Sequence, residues 1–179
     1  MIRGQVMCLL QIKEDGMKNT AKGFNATKAC AGGNASNALR VIGVAGAGDR
    51  GKSHVLRWMI ELLKARAAGA PDPTVVCMQP YDVREVVVYK NKRIAICTGG
   101  DTPDVIKDNA TFFDAEIANV GLDVAVSAAK SFGRTHAALE HYANPGKVEW
   151  YQKAYMCSGP ITVDQFWKIE ANMIIEAYL

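Results

Sequence analysis

From residue 39 onward, short apolar runs alternate with segments of helical periodicity, and this alternation is what most constrains the fold. The runs LRVIGVAG, TVVCM, RIAIC and LDVAVSAA are bounded by glycine or polar residues, as buried strands are, and KVEWYQK is predicted to be a further strand. Between them, apolar residues recur three or four positions apart, which is typical of amphipathic helices. Because parallel strands need crossover connections, this pattern predicts a three-layer α/β fold with a mostly parallel sheet.

The segment REVVVYKNKRIAIC is predicted to form two strands joined by a tight hairpin turn at Asn91-Lys92. Asparagine tolerates the positive φ angles that such a turn requires. A hairpin leaves no room for a crossover, so the strand that contains Val86–Tyr89 is predicted to be the one antiparallel strand of the sheet.

Four helices are predicted from the spacing of apolar residues. The first covers residues 53–68, the second begins at a Thr102 cap, and the third covers residues 132–143. Thr162 and Gln165 form a capping box for a fourth helix. This last helix is apolar on more than one face, which leaves internal packing and contact with a partner both open. The stripe predicted to be buried on the second helix consists of Ile106, Ala110, Phe113 and Ile117.

Residues 1–38 differ in composition from the rest of the chain, being rich in Gly, Asn, Ala, Thr and Lys. Such a stretch buries too little apolar surface to offset its chain entropy. It is predicted to be a flexible N-terminal extension, with an edge strand at VMCLLQIK as the alternative. Residues 39–179 are then predicted to form a single domain.

Charge and composition argue against several classes of protein. The net charge of +3 is mild and no long Lys/Arg run occurs, so nucleic-acid binding is not indicated. No apolar stretch approaches the ~18 residues of a membrane-spanning helix. The five cysteines show no metal or disulfide spacing, and Cys77 and Cys97 lie in apolar runs, where they are predicted to be small buried hydrophobes. A cytoplasmic protein without membrane contact is expected.

The sequence GVAGAGDRGKSHVL, residues 43–56, places a glycine-rich turn between a predicted strand and a predicted helix. It matches the pattern G-x-x-x-x-G-K-[ST], in which backbone N–H groups surround a phosphate. Lys52 would reach the β- and γ-phosphates of a nucleotide, and the Ser53 hydroxyl would bind Mg²⁺. The residues predicted to bind the nucleotide are Gly46, Ala47, Gly48, Asp49, Arg50, Gly51, Lys52, Ser53 and His54.

This motif in its strand–turn–helix setting resembles the P-loop NTPase superfamily, and the likeness covers about residues 39–150. The chain also resembles, less specifically, small P-loop proteins of bacteria and their viruses. The resemblance implies a P-loop fold that binds a nucleoside triphosphate together with Mg²⁺. It also implies a carboxylate at the end of a strand that neighbours the motif strand.

Asp101 is the best candidate for that carboxylate, because RIAICTGGD runs from an apolar strand through two glycines into an acid. It is predicted to bind Mg²⁺ or to act in catalysis. The alternative is that Asp101 or Thr102 only caps the next helix. The topology looks like the small GTPase-type arrangement, but the order Gly-Gly-Asp-Thr is not the Asp-x-x-Gly of that class.

The base of the nucleotide is predicted to be adenine, since KSFGRT follows the strand LDVAVSAA where guanine-selective members carry Asn-Lys-x-Asp. ATP is therefore favoured and GTP is left open. In the same segment, Lys130, Ser131 and Arg134 either contact a phosphate or a second substrate, or form a solvated loop.

The remaining polar residues considered are Asp82, Asp123 and the three histidines. Asp82 follows TVVCM with Tyr81, and is either a catalytic base or a turn residue. Asp123 begins its strand at the opposite end and is predicted to be structural. The three histidines show no metal-binding spacing and are expected to be structural or exposed.

Taken together, the residues predict Mg²⁺-dependent binding of a nucleoside triphosphate and cleavage of its β–γ bond. The acceptor is water in an NTPase, or a small molecule or nucleotide in a kinase, with Lys52 and Asp101 as the catalytic residues and Ser53 and Asp101 as the metal ligands. The alternative is a nucleotide-dependent switch or binding module with little turnover. A small-molecule partner, a protein partner and an oligomer are left open.

Overall fold

The computed structural model describes residues 39–47, 51–78, 81–144, 147–155 and 160–179. The predicted extension, residues 1–38, lies outside this part of the chain. The strands are β1 Arg40–Ala45, β2 Arg84–Tyr89, β3 Lys92–Cys97, β4 Val124–Ala129 and β5 Val148–Gln152. The helices are α1 Lys52–Ala67, α2 Pro103–Val120, α3 Arg134–Tyr142 and α4 Val163–Tyr178.

The five strands form one sheet in the order β2-β3-β4-β1-β5. Strands β1, β3, β4 and β5 run parallel, and β2 pairs antiparallel with β3. The prediction of an α/β protein with a mostly parallel sheet and one antiparallel hairpin strand is confirmed. Strand β4 lies between β1 and β3, so the ends of β1 and β3 are separated by the width of one strand.

Helices cover both faces of the sheet, because successive strand residues point to opposite faces. Ile42 and Val44 of β1 belong to a core cluster that includes the buried residues of α1 and α4. Val41, which lies next to Ile42 in the same strand, packs instead with Ile106 and Phe113 of α2. Strand β1 is thus held from both sides.

Helix α4 begins with the predicted capping box, in which the side chains of Thr162 and Gln165 each accept a hydrogen bond from the other residue's backbone N–H. One face, which includes Ile174, is fully buried. Ile169 and Met173 lie on the other side and are about half exposed. The helix therefore packs through one face only. Within the described residues, no helix is long and apolar enough to cross a membrane.

Of the four residues predicted to be buried on α2, two are buried, Ala110 is half-buried and the last is exposed. Ile106 and Phe113 are buried, but Ile117 is 40% exposed because the last turn of the helix, residues 117–120, is exposed to solvent. Asn109 is also buried, and its amide donates to the Gly99 carbonyl at 2.9 Å. A polar residue therefore fixes α2 to the end of β3.

The prediction of a strand at TVVCM is wrong. Residues 74–78 pair with no strand of the sheet, and of them only Val76 is buried, whereas Val75 is 78% exposed. Pro71 and Pro73 precede the run and favour extended backbone that does not need a ladder. Cys77 is exposed, contrary to prediction.

Cys97 is buried as predicted, and burial raises the pKa of its thiol to about 12. It ends β3, where the strand passes under α2. The thiol is therefore protonated at neutral pH and acts as a small apolar side chain.

The hairpin forms one residue earlier than predicted. Lys90 and Asn91 occupy the turn, with φ angles of 49° and 62°, and Lys92 already belongs to β3. Positive φ at both central residues defines a turn whose twist matches that of the flanking strands. The pairing of Tyr89 with Lys92 fixes the register of the edge strand.

Candidate functional site

The carboxyl ends of β1, β3 and β4 lie at one edge of the sheet, because these strands run parallel. Gly46 follows β1 and donates its N–H to the Ala129 carbonyl at 3.3 Å, which joins the ends of β1 and β4. The segments that leave the three strands carry Lys52, Asp101 and Lys130. Ligands of open α/β sheets bind at such an edge, so the candidate site lies here.

Helix α1 begins at Lys52, directly after Gly51, whose φ of 77° favours glycine. Among the described residues, no side chain caps this end of the helix. Its first backbone N–H groups therefore have no acceptor within the helix, and together with the helix dipole they favour an anion. Three residues of the predicted phosphate-binding segment lie outside the described part of the chain: Gly48, Asp49 and Arg50.

The Lys52 side chain is buried, with 5% of its surface exposed, and Nζ donates to the Ala47 carbonyl at 3.0 Å. Among the described residues, the one carboxylate close to it is Asp101, whose Oδ1 lies 3.5 Å from Nζ. The Asp101 side chain is 62% exposed, so this ion pair is long and open to solvent. A buried ammonium needs close polar partners. An anion arriving from solvent can therefore displace the carboxylate at Lys52.

The Ser53 hydroxyl donates to the Thr98 carbonyl at 2.8 Å, which ties the start of α1 to the end of β3. Because the hydroxyl proton is used in this bond, the lone pairs of Oγ are left to bind a cation or to accept from water. Hydroxyl and carboxylate oxygens are ligands that Mg²⁺ accepts. The donor atoms of Ser53 and Asp101 therefore fit the predicted metal site.

The expectation that Asp101 follows a strand adjacent to β1 is wrong, because β4 lies between β1 and β3. The chain crosses the end of β4 at Gly100, where a Cβ would overlap the Ala128 carbonyl oxygen. This close passage brings Asp101 within reach of Lys52.

The cap of α2 is Thr102, whose Oγ1 accepts the Val105 N–H at 3.3 Å. Pro103 takes the first helical position, as predicted. The capping role considered for Asp101 thus belongs to its neighbour. The Asp101 carboxylate faces Lys52 instead.

A buried ion pair that was not predicted from the sequence lies beside the end of β1. Lys153 Nζ is 2.9 Å from Glu170 Oε2, and the two side chains are 4% and 2% exposed. Glu170 Oε1 also accepts the Ala154 N–H at 2.8 Å, and Lys153 donates its own N–H to the Ala45 carbonyl. The available signal was an acid in the apolar stripe of α4, four residues before Ile174.

Tyr151 completes this cluster, with its hydroxyl donating to Glu170 Oε1 at 3.4 Å. Burial, followed by the charge of Glu170, raises the pKa of Tyr151 to about 12. Tyr151 is therefore neutral at physiological pH and serves Glu170 as a hydrogen-bond donor.

Two aromatic rings pack beside the start of α1. His54 stacks on Trp167 with ring centroids 4.1 Å apart, and the indole of Trp167 fills the space where a Cβ on Gly51 would lie. Burial, followed by the charge of Arg57, lowers the pKa of His54. The imidazole is thus neutral at pH 7. These contacts hold Gly51 against α4 and fix the start of α1.

Residues 81–85 lie at the end of β3 rather than directly at Lys52. The Asp82 carboxylate packs against Gly99, where a Cβ would overlap it. Glu85 pairs with Lys64 at 2.5 Å, and Tyr81 is 62% exposed. A catalytic role for Asp82 stays a prediction.

The structure brings two of the three residues after β4 together with Asp101. Lys130 and Arg134 line, with Asp101, a cavity of about 740 Å³. Ser131 lies apart from this lining, and its Oγ accepts from Gln152 Nε2 at 2.9 Å.

The structural role predicted for Asp123 is confirmed, because its carboxylate accepts the Arg93 N–H at 2.8 Å. His136 stacks on Trp150 with centroids 4.0 Å apart. Within the described residues, no three His, Cys, Asp or Glu side chains are grouped as a metal site would need.

Comparison of the chain with family models, with curated proteins and with solved structures gave no match.

Proposed function

We propose that the chain is a P-loop nucleotide-binding protein that holds a Mg²⁺-bound nucleoside triphosphate at residues 46–54 and cleaves its β–γ bond. The observation that carries the proposal is the state of Lys52. Its ammonium is buried and donates to the Ala47 carbonyl of the glycine-rich segment. Among the described residues, its one carboxylate contact is the long one to exposed Asp101. A triphosphate would supply the close anionic partner that this ammonium lacks.

The surrounding backbone supports the same proposal. The motif follows a buried parallel strand, β1, and leads into helix α1 at Gly51, which is the setting that the phosphate-binding motif needs. Helices on both faces of the sheet are compatible with the three-layer P-loop fold. The helix N-terminus and Lys52 would together stabilise charge that develops on the phosphates.

Ser53 and Asp101 would hold the metal. Bound Mg²⁺ would neutralise charge on the β- and γ-phosphates. The chain's own contribution is to position both oxygen donors: the Thr98 carbonyl orients the Ser53 hydroxyl, and the passage at Gly100 places the Asp101 carboxylate. ATP is proposed as the nucleotide because the guanine-selective sequence is absent after β4.

The test follows the γ-phosphate. ATP and GTP carrying a γ-label are incubated with Mg²⁺, the protein and a pool of nucleosides, nucleoside monophosphates and small metabolites, and the labelled products are separated by chromatography. We expect label to leave the nucleotide in the wild type but not in Lys52→Ala, while Lys64→Ala on the exposed side of α1 behaves as wild type. Label in an organic phosphate identifies a kinase and its acceptor, and label only in inorganic phosphate identifies a hydrolase. Equal label transfer by Lys52→Ala would contradict the proposal.

A nucleotide-dependent switch is the second candidate, and one hydrogen-bonded path favours it. Ser53 Oγ donates to the Thr98 carbonyl, and Thr98 exchanges hydrogen bonds with Val83, just before edge strand β2, at 2.8 and 2.9 Å. A ligand that moved Ser53 would therefore act on the hairpin through Thr98. Hydrogen exchange at Val83 that changes with bound triphosphate, together with turnover near zero, would favour the switch over the enzyme.

A further inference from the structure

The cavity at the ends of β3 and β4 is a site distinct from the glycine-rich segment. Its volume of about 740 Å³ lies within the range of small-molecule sites. The start of α2 forms one wall, and the residues between β4 and α3 form the other. Asp101 belongs to its lining and lies 3.5 Å from Lys52 Nζ, so the cavity opens beside the proposed position of the triphosphate.

Among the described residues, two cations that line the cavity have no carboxylate partner. Asp104 pairs with Lys107 at 3.3 Å, and Asp101 faces Lys52. Within the described part of the chain, neither Lys130 nor Arg134 has a carboxylate or another side-chain partner. A lysine and an arginine on one wall suit a phosphate or a carboxylate, which Arg can bind through two parallel hydrogen bonds.

Phe132 lies between these two cations in the sequence and adds an aromatic surface to the cavity. Its side chain lines the cavity and is 81% exposed. Flat rings stack on such an aromatic face, and cations beside it hold the anionic end of the same molecule.

The segment that presents these groups is anchored at both ends. The Lys130 N–H donates to the hydroxyl of buried Thr135 at 3.1 Å, and Ser131 accepts from Gln152. A segment already held in place loses less conformational entropy when a ligand binds.

We propose that this cavity binds a second ligand, a small molecule that carries both an anionic group and a flat ring, with the anion at Lys130 and Arg134 and the ring on Phe132. The inference rests on the proposed function in that it places this ligand beside a bound triphosphate. The ligand would then be the acceptor of the γ-phosphoryl group or an effector of its cleavage.

Calorimetric titration with adenosine monophosphate, adenosine and inorganic phosphate as probes tests the proposal. We expect the monophosphate to bind more tightly than either of its parts. The double variant Lys130→Ala, Arg134→Ala should weaken monophosphate and phosphate binding by about tenfold or more. Phe132→Leu should weaken the monophosphate by about fivefold and leave phosphate unchanged, and Phe132→Tyr should restore it. Lys147→Ala, at an exposed lysine elsewhere, is the matched control.

Three results would overturn the inference: monophosphate affinity that is indifferent to the double variant and to Phe132→Leu, loss of monophosphate binding in Lys52→Met, or no saturable binding of any probe up to millimolar concentrations. Loss in Lys52→Met would mean that the monophosphate occupies the glycine-rich segment. The proposed function is judged separately, from triphosphate binding in the same variants. A chain that binds the monophosphate through Lys130 but binds no triphosphate would keep the inference and refute the proposed function.

Discussion

Two buried lysines flank the segment that follows β1, and they differ in what they are paired with. Lys153 and its partner Glu170 are both almost fully buried and lie 2.9 Å apart. Lys52 is equally buried, but its partner Asp101 is largely exposed and 3.5 Å away. The first pair is enclosed, whereas the carboxylate of the second is open to solvent. We therefore expect Lys153 to contribute to stability and Lys52 to contribute to ligand binding.

The two pairs also act on neighbouring parts of the backbone. Lys153 donates its N–H to Ala45 at the end of β1, so the enclosed pair fixes the point from which the glycine-rich segment starts. Lys52 begins α1, where that segment ends.

The largest expected effect comes from breaking the enclosed pair. Glu170→Gln leaves the Lys153 ammonium buried without a charge partner, and we expect the free energy of unfolding to fall by about 3–5 kcal/mol. Urea unfolding followed by fluorescence measures the change. Glu149→Gln, which removes one partner of the half-exposed pair with Arg40, is the matched control and should cost about 1 kcal/mol or less. A loss for Glu170→Gln no larger than that of the control would show that the enclosed pair does not hold the fold.

A change in the Lys52–Asp101 pair should affect ligand binding more than stability. Asp101→Asn is expected to raise the Mg²⁺ concentration needed for triphosphate binding on the order of tenfold, since it removes a charged oxygen ligand. The free energy of unfolding should change by less than about 1 kcal/mol, because the Asp101 carboxylate is largely exposed and its contact to Lys52 is long. Mg²⁺ titrations of triphosphate binding, set beside urea unfolding, check both parts. A variant that lost stability and kept its Mg²⁺ dependence would give Asp101 a structural role.

Thr102 provides the complementary test one residue away. Thr102→Ala removes the cap of α2 and is expected to lower the free energy of unfolding by about 1 kcal/mol. Triphosphate binding should be unchanged, because the hydroxyl serves only the helix end. If Thr102→Ala weakened binding more than Asp101→Asn, the division of roles between the two residues would be wrong.

The smallest effect concerns His54, which lies in the first turn of α1 and stacks on Trp167. Its pKa is lowered by burial and then by Arg57, so the folded chain binds fewer protons here than the unfolded chain. Its contribution to stability is therefore present above the usual pKa of about 6.5 and is lost as pH falls through the lower folded value. An NMR titration should give a midpoint below 6.5, and His54→Gln should remove this part of the pH dependence of unfolding. A midpoint at or above 6.5 would mean that the stack on Trp167 does not exclude water.

Local signals in the sequence predicted much of the fold. The apolar runs of β1 and β4, the capping box at Thr162 and the cap at Thr102 depend on residues close in sequence, and all four are observed. TVVCM was predicted to be a strand for the same local reasons. The prediction was wrong because a strand also needs a partner in the sheet, which apolar content does not reveal.

The candidate site was predicted as a motif but not as an arrangement. Lys52, Ser53 and Asp101 follow from residue type and spacing, and the structure brings Lys52 and Asp101 together. The order of the strands and the Lys153–Glu170 pair depend on contacts between distant segments, for which a single sequence carries little signal. The open and the enclosed lysine could therefore be told apart only in the structure.

The most direct test of the account is the affinity of a non-hydrolysable ATP analogue, with Mg²⁺, for the wild type and for Lys52→Met, measured by calorimetry beside urea unfolding of both proteins. Methionine keeps the apolar stem of the buried side chain and removes its charge. The account predicts that binding weakens at least about a hundredfold while the free energy of unfolding changes by no more than about 1 kcal/mol. Wild-type affinity in Lys52→Met would contradict it, because the ammonium would then be no more than a part of the fold.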